Sequence, residues 1–144
     1  MRRAKPSISG QSQRGARRAA ARVASAARTR YDDEALAVLA YEFRTVDAPA
    51  EAERKIKRRL REKKLGAYDA ERVAAIRRFK DELQRELGKA GQSGYYTGRH
   101  GHFANPADFD QSRLIRDFAR RHPSVARDSI ARFVPFAVYT YYLR

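Results

Sequence analysis

The feature that most constrains the fold is the spacing of large apolar residues, which recur every three or four positions along much of the chain. The clearest series is Val73, Ile76, Phe79, Leu83 and Leu87. This spacing matches the 3.6-residue turn of an α-helix and makes one face of it apolar. The sequence contains no convincing alternation of apolar and polar residues, the pattern of a half-buried strand. It therefore predicts an all-α fold, a small bundle of about five helices.

Capping residues place the first three helices. Asp32 or Asp33 is expected to begin the first helix, which ends near Arg44, because a carboxylate suits the positive N-terminal end of a helix. A second helix covers residues 48–64, and a third follows Asp69. The short link between the second and third helices predicts that they pack as an antiparallel hairpin.

Two further helices follow a long glycine-rich loop. One is expected from about Phe109 to Arg121, and a His-Pro pair separates it from another that Ser124 caps. These proportions approach those of a helix-turn-helix, whose second helix lies in the major groove of DNA. Arg127 would then address guanine edges. Because the usual turn glycine is absent, an ordinary helical hairpin that closes the core is the alternative.

Positive charge is the second strong feature of the sequence. The chain has 32 Lys and Arg residues against 17 Asp and Glu residues, a formal net charge of +15. Such an imbalance disfavours compaction through self-repulsion, and an anionic partner would offset that cost. Arg outnumbers Lys, and its forked donors pair well with phosphate. We therefore predict a nucleic acid as the partner, with DNA slightly favoured over RNA.

Part of this charge lies in residues 1–31, which contain no acidic residue. Val23 is the only large apolar residue between positions 16 and 30, so this segment cannot bury a face by itself. We expect residues 1–31 to be a largely disordered basic arm that becomes helical on an anionic surface, and 32–144 to be a helical domain. A mitochondrial transit peptide has a similar composition. The phosphate-binding residues predicted in the arm are Arg14, Arg17, Arg18, Arg22, Arg28 and Arg30.

A second concentration of cations lies on the predicted 48–64 helix, where Glu62 is nearly alone among them. Charged helix faces usually mix signs, because residues four apart form ion pairs. The pattern predicts phosphate contacts, which give affinity without sequence preference. A solvated charged face is the alternative. The cations are Arg54, Lys55, Lys57, Arg58, Arg59, Arg61, Lys63 and Lys64.

The glycine-rich loop before the fourth helix contains residues suited to nucleic acid. Tyr95 and Tyr96 are predicted to stack on bases, and Arg99 to hold phosphate. His100 and His102 allow another hypothesis, a nuclease that uses general acid–base chemistry. A surface loop with incidental histidines is the plainest interpretation. Neither a standard spacing of metal ligands nor any Cys occurs in the sequence, so no metal or other cofactor is expected.

The C-terminal segment is rich in aromatic residues. Pro135 is expected to kink or end the fifth helix, and the residues after 137 to form a last helical turn or a strand. Aromatic side chains in such number favour burial in the core or in an interface. We therefore predict self-association, or docking of a protein partner, through the tyrosine-rich end. The cluster is Phe133, Phe136, Tyr139, Tyr141 and Tyr142.

Motifs for catalysis and membrane insertion are missing from the sequence. There is no P-loop, GxGxxG, GxSxG or HExxH motif, so we do not predict an enzyme. The apolar runs are too short for a membrane span, and no secretory signal is visible. The expected location is cytoplasmic, with nucleoid association, or mitochondrial if residues 1–31 are a transit peptide. We predict a non-enzymatic nucleic-acid-binding protein. The alternative is a structural subunit of a nucleic-acid-containing assembly, such as a ribosome-like particle or virion.

Overall fold

The computed structural model describes residues 9–42, 48–98 and 105–142. Within these ranges the chain forms five α-helices and no β-strand, which confirms the predicted all-α bundle. Two short 3₁₀ turns and one isolated bridge between Tyr96 and Phe109 order the link between the third and fourth helices. The helices are α1 (Ser9–Leu39), α2 (Ala48–Glu62), α3 (Ala70–Gly88), α4 (Gln111–Arg121) and α5 (Arg127–Tyr141).

Helix α1 is much longer than predicted. It begins at Ser9 and passes through Asp32 without a break, so the predicted boundary between arm and domain falls inside one helix. Residues 10–28 are exposed on every side. Ala and Arg are strong helix formers, and the packed half of α1 supplies the nucleus from which they extend the helix. Residues 9–31 are thus helical and continuous with the packed half of α1, whereas 1–8 lie outside the described residues. That the arm orders only on an anionic surface stays a prediction.

The core forms where the second half of α1 meets α2, α3 and α5. Each apolar residue of the predicted α3 series is buried, and Phe79 lies at its centre, edge-on to Phe118 at 6.1 Å and to Phe133 at 5.9 Å. Asp69 caps α3 as expected, because its side chain accepts a hydrogen bond from the backbone N–H of Arg72. The 3.6-residue period therefore located this helix and its buried face correctly.

The predicted hairpin of α2 and α3 is wrong. Both helices pack chiefly on α1 and contact each other little. The buried stripe of α2 is one narrow row along its length, made by Ala48, Ala52, Ile56 and Leu60. Because α1 covers that row, α2 has no second apolar face to present to α3. The predicted end of the first helix near Arg44 lies outside the described residues, and α1 itself ends at Leu39.

Helices α4 and α5 both begin later than predicted. Asp110 caps α4, so the helix starts at Gln111, while Phe109 is buried ahead of it. Helix α5 starts at Arg127, and within the described chain no side chain caps it in the way expected of Ser124. Helix α5 then continues through Pro135 to Tyr141, so the proline does not end it. None of the helices in the described ranges has the length and hydrophobicity that a transmembrane span requires.

Candidate nucleic-acid interface

The projecting half of α1 carries arginines on the same face that packs on the bundle further along. Arg14, Arg18 and Arg22 are four residues apart, and steps of three and four residues lead from Arg22 to Thr29 and Asp32. Thr29 and Asp32 are both buried against the bundle. Because an α-helix repeats about every 3.6 residues, this series shares one face. The three arginines therefore overhang the end of the bundle where α5 begins.

A cavity of about 510 Å³ lies beneath this overhang, where α1 meets the turn between α4 and α5. Its lining includes Arg28 from α1, Arg116 and Arg120 from α4, and Arg127 from α5. Arg17 lies about three turns before Arg28 and so shares its side of α1. We call this concave surface the basic corner. The arginines that line its cavity are Arg28, Arg116, Arg120 and Arg127. By helical spacing alone we add those on the adjoining face of α1, which are Arg14, Arg17, Arg18 and Arg22.

Arg28 joins the two walls of the basic corner. Its guanidinium donates hydrogen bonds to the backbone carbonyls of Pro123 at 3.1 Å and Ser124 at 2.5 Å. These carbonyl acceptors carry no net charge, so the positive charge of Arg28 is not neutralised by them. Charge-assisted bonds of this kind are stronger than bonds between neutral groups. Arg28 therefore positions the α4–α5 turn and still contributes a full charge to the corner.

The other cations of the corner have few carboxylate partners. Arg116 and Arg120 share the carboxylate of Asp117, at 3.2 and 2.9 Å. Arg127 is exposed and forms no ion pair with the described residues, although Asp128 lies beside it in the cavity lining. The arginines on the projecting half of α1 likewise have no ion pair within the described part of the chain. The basic corner thus retains a net positive charge that an anion can approach from solvent.

A buried polar network underlies the corner and was not anticipated. The carboxylate of Asp32 accepts a hydrogen bond from Arg72 Nε at 2.8 Å and another from the backbone N–H of Ala126 at 2.7 Å. Arg72 also donates to the backbone carbonyl of Arg28 at 2.8 Å. These bonds connect α1, α3 and the start of α5. The network therefore fixes the angle between the two walls, although the sequence suggested only a helix cap for Asp32.

The cations predicted on α2 are more neutralised than the sequence suggested. Glu51 and Glu53 pair with residues one turn later, and Glu34 of α1 pairs with two cations across the helix interface. Arg54, Arg61 and Lys64 are exposed and form no ion pair with the described residues. The five ion pairs are Lys55–Glu51 at 2.5 Å, Lys57–Glu53 at 2.6 Å, Arg58–Glu62 at 3.8 Å, Arg59–Glu34 at 3.1 Å and Lys63–Glu34.

The predicted loop residues lie apart from the corner's cavity. The Tyr95 hydroxyl donates to Asp117 at 3.0 Å, and the Tyr96 ring packs edge-on against Phe109 at 5.5 Å. Burial raises the pKa of the Tyr95 hydroxyl, and Asp117 raises it further. Both rings are half-buried against the core, so base stacking by them stays a prediction without geometric support. Arg99, like His100 and His102 of the nuclease hypothesis, lies outside the described residues.

The helix-turn-helix also stays a prediction. Helices α4 and α5 are joined by residues 122–126, and Arg127 occupies the first position of α5. The exposed residues of α5 after Arg127 are Asp128 and Arg132 in its first turns and Pro135, Phe136 and Tyr139 further along, so the second half of this face is largely apolar. Arg127 instead lies with the other cations of the corner. Arg30 is exposed and lines a shallow groove with Arg22 and Arg132, beside the cavity of the corner.

Part of the basic corner could be predicted from the local sequence. Arg14, Arg18 and Arg22 were predicted as phosphate contacts, and their spacing alone places them on one side of a helix. Arg116 and Arg120 were missed, although their four-residue spacing was a readable signal.

Within the described ranges no cluster of three or more His, Asp or Glu residues is arranged to hold a metal ion. No protein family, curated protein or solved structure matches this chain.

Proposed function

We propose that this protein binds nucleic acid through the basic corner, with duplex DNA as the preferred form, and that it catalyses no reaction on it. The observation that carries the proposal is the convergence of arginines from α1, α4 and α5 on one concave surface with few carboxylates. Arginine suits phosphate because its planar fork donates two parallel hydrogen bonds. Such contacts position the protein on the backbone without reading the sequence.

The shape of α1 supports duplex DNA over RNA. Its exposed stretch, residues 10–28, is about 28 Å long, and only its last residues contact the rest of the bundle. An α-helix with side chains is about 10–12 Å wide, close to the roughly 12 Å width of the major groove of B-DNA. The major groove of A-form RNA is deep and narrow and does not admit side chains in this way. A helix lying along the DNA groove would bring the corner's second wall against a neighbouring phosphate strand.

Helix α2 takes a secondary part in this proposal. Arg54 and Arg61 of α2, and Lys64 in the turn after it, lack ion pairs within the described chain and add general positive potential there. Potential of this kind speeds association but is screened beyond about 8 Å at physiological salt. The corner, in contrast, surrounds a phosphate from two sides. A protein of this kind acts where DNA is accessible, which in a bacterial cell is the nucleoid.

Binding to duplex DNA, single-stranded DNA and structured RNA across a salt series tests the proposal. The triple variant Arg14→Gln, Arg18→Gln, Arg22→Gln removes three corner cations and keeps good helix formers. We expect about a 100-fold loss of affinity for duplex DNA, and a log–log salt slope about 2.7 units shallower, since each lost phosphate contact removes about 0.9.

The matched control is Arg54→Gln, Arg61→Gln, Lys64→Gln, which removes the same charge from exposed positions on α2 and in the turn after it that form no ion pair with the described residues. It is expected to weaken binding by less than about tenfold, because these positions contribute only diffuse potential. Equal losses in the two variants would show that net charge alone drives binding and would remove the corner from the proposal. Failure of the wild-type chain to bind any nucleic acid in dilute buffer would reject the function itself.

A second candidate function has one observation in its favour. An apolar groove between α1 and α5 is exposed, as expected for a subunit that docks on protein in a nucleic-acid-containing assembly. An assembly subunit is expected to bind free duplex DNA poorly and to aggregate when isolated. The proposed function instead predicts a discrete complex with naked DNA, so the same titration, followed by light scattering, separates the two.

A further inference from the structure

The groove between α1 and α5 is a concave surface with a largely apolar lining. It encloses about 400 Å³ beside the parallel second half of α1 and first half of α5. Leu36, Ala37 and Ala40 form its α1 wall, and Phe133 and Phe136 form its α5 wall. Grooves between paired helices accept ridges of side chains from a third helix. This groove therefore has the shape of a helix-packing surface whose partner lies outside the described bundle.

Exposed aromatic side chains cluster at the same place. Val23, Tyr41, Phe136 and Tyr139 are the large apolar residues that are exposed among those described. Tyr41 and Phe136 border the groove and pack edge to face with their centroids 6.4 Å apart. Tyr139 lies one turn beyond Phe136 on the same face of α5. Three of these four side chains thus form one patch, which is uncommon on a monomer surface and marks an interaction site.

The charges at the groove suit a second copy of this chain. Asp33 and Arg132 line it and form an ion pair with each other. Their charges cancel, whereas the whole chain carries +15 and would repel a copy that approached over other surfaces. An acidic partner would be drawn to the arginine-rich surfaces instead. In a dimer whose twofold axis crosses the groove, Asp33 of one copy would face Arg132 of the other, and the pair would be complementary to itself.

We propose that this groove is the interface of a homodimer, in which α1 and α5 from two copies pack as four helices. Helix pairs pack in this way around a shared apolar core. The proposal needs no nucleic acid and is independent of the proposed function. It places self-association on α1 and α5 and not on the last tyrosines, since Tyr142 is already occupied by a 2.7 Å hydrogen bond to Asp108. The patch covers only a few helical turns, so we expect dissociation in the micromolar range.

Sedimentation velocity over a series of protein concentrations tests the dimer. Phe136→Glu puts a charge on the groove wall, and we expect it to raise the dissociation constant at least tenfold. Val23→Glu is the matched control, because it changes an exposed apolar residue far from the groove and should leave association unchanged. Circular dichroism checks the fold. If Phe136→Glu perturbs it, Tyr139→Glu replaces it, because Tyr139 is 56% exposed against 36% for Phe136.

A charge exchange tests the self-complementary pair directly. Asp33→Arg leaves two cations at the groove, and Arg132→Asp leaves two anions, so each variant alone should be monomeric. Mixing the two variants should restore association as a heterodimer, because each cation then meets an anion. A wild-type chain that remains monomeric at every concentration overturns the proposal, as does a dimer that Phe136→Glu leaves intact or a mixture that does not associate.

Salt separates this proposal from the proposed function. Added salt screens the repulsion between two chains of +15 and should strengthen the dimer. The same salt should weaken binding to DNA through counterion release. Either activity can therefore fail without the other. If only DNA binding fails, the remaining self-association strengthens with salt; if only the dimer fails, the remaining DNA binding weakens with salt.

Discussion

At the residue scale, the stability of the bundle depends on the buried carboxylate of Asp32. Its carboxylate is fully buried, and both of its partners come from other helices: Arg72 of α3 and the backbone N–H of Ala126 before α5. A buried ion pair adds little net stability, but removal of one partner leaves the other charge uncompensated. The neighbouring Asp33 pairs with Arg132 near the surface, where water and salt screen the interaction.

We therefore predict that Asp32→Ala lowers the free energy of unfolding by about 3 kcal/mol, because Arg72 and one backbone donor lose their acceptor. The control Asp33→Ala should cost less than about 1 kcal/mol. Urea unfolding at a protein concentration that keeps the chain monomeric measures both. Similar values for the two variants would show that the buried network does not hold α1, α3 and α5 together.

At the scale of elements, the unusual feature is a helix whose first half projects from the bundle with its side chains exposed. The packed half of α1 has already nucleated the helix, so each further residue needs only a favourable propensity. Ala and Arg provide it, and the absence of a break keeps the arginines of the projecting half in register with the buried face. Continuity of α1 is thus what aligns Arg14, Arg18 and Arg22 with the cavity.

Ala20→Pro is expected to interrupt this continuity, because proline removes a backbone donor and clashes with the preceding turn. We predict loss of helical signal in circular dichroism, about a tenfold loss of affinity for duplex DNA, and a free energy of unfolding of the bundle unchanged within about 0.5 kcal/mol. Ala20→Ser, which keeps the helix, is the control. Unchanged affinity in the proline variant would mean that the arginines act without alignment.

At the scale of the whole molecule, carboxylates pair with some of the cations and so reduce the repulsion within a strongly basic chain. Burial alone would raise the pKa of Glu34, but hydrogen bonds from Lys63 and then Arg59 outweigh it and lower the pKa below its ordinary value of 4.5. Burial likewise opposes Arg77 and Lys80 at Glu42, and the pKa of Glu42 is lowered as well. These groups join α1 to α2 and α3, and each protonation also adds to the net positive charge.

The pH dependence follows from these directions. A carboxylate whose pKa is lower in the folded state stabilises that state fully above its unfolded pKa, and this stabilisation is lost as the pH falls. We predict a urea midpoint that is flat from pH 7 to near pH 5 and that decreases below about pH 4.5. Glu42→Gln should flatten that decrease, whereas Glu71→Gln, at an exposed position of α3, should not. An equal acid response in the two variants would contradict this account.

Local spacing was sufficient for much of the fold. The period of Val73, Ile76 and Phe79 located α3 and its buried face, and Asp69 marked its start. The four-residue spacing of Arg14 and Arg18 is a local property too, although these residues were predicted only as phosphate contacts in a largely disordered arm. Each of these properties depends on residues within one or two turns of each other, which propensity and periodicity describe well. The start of α1 was misplaced because propensity alone cannot show that a packed segment further along nucleates the helix.

The features that depend on residues distant in the chain came only from the tertiary structure. Glu34 neutralises Arg59 across an interface, and Asp32 is buried by α3 and α5, so neither partner is visible in the local sequence. The basic corner unites arginines that lie about a hundred positions apart. By itself the amino-acid sequence determined helix type, apolar faces and net charge, because these depend on neighbouring residues. Packing decided which charges face solvent and which face each other, because burial and pairing depend on the arrangement of the whole chain.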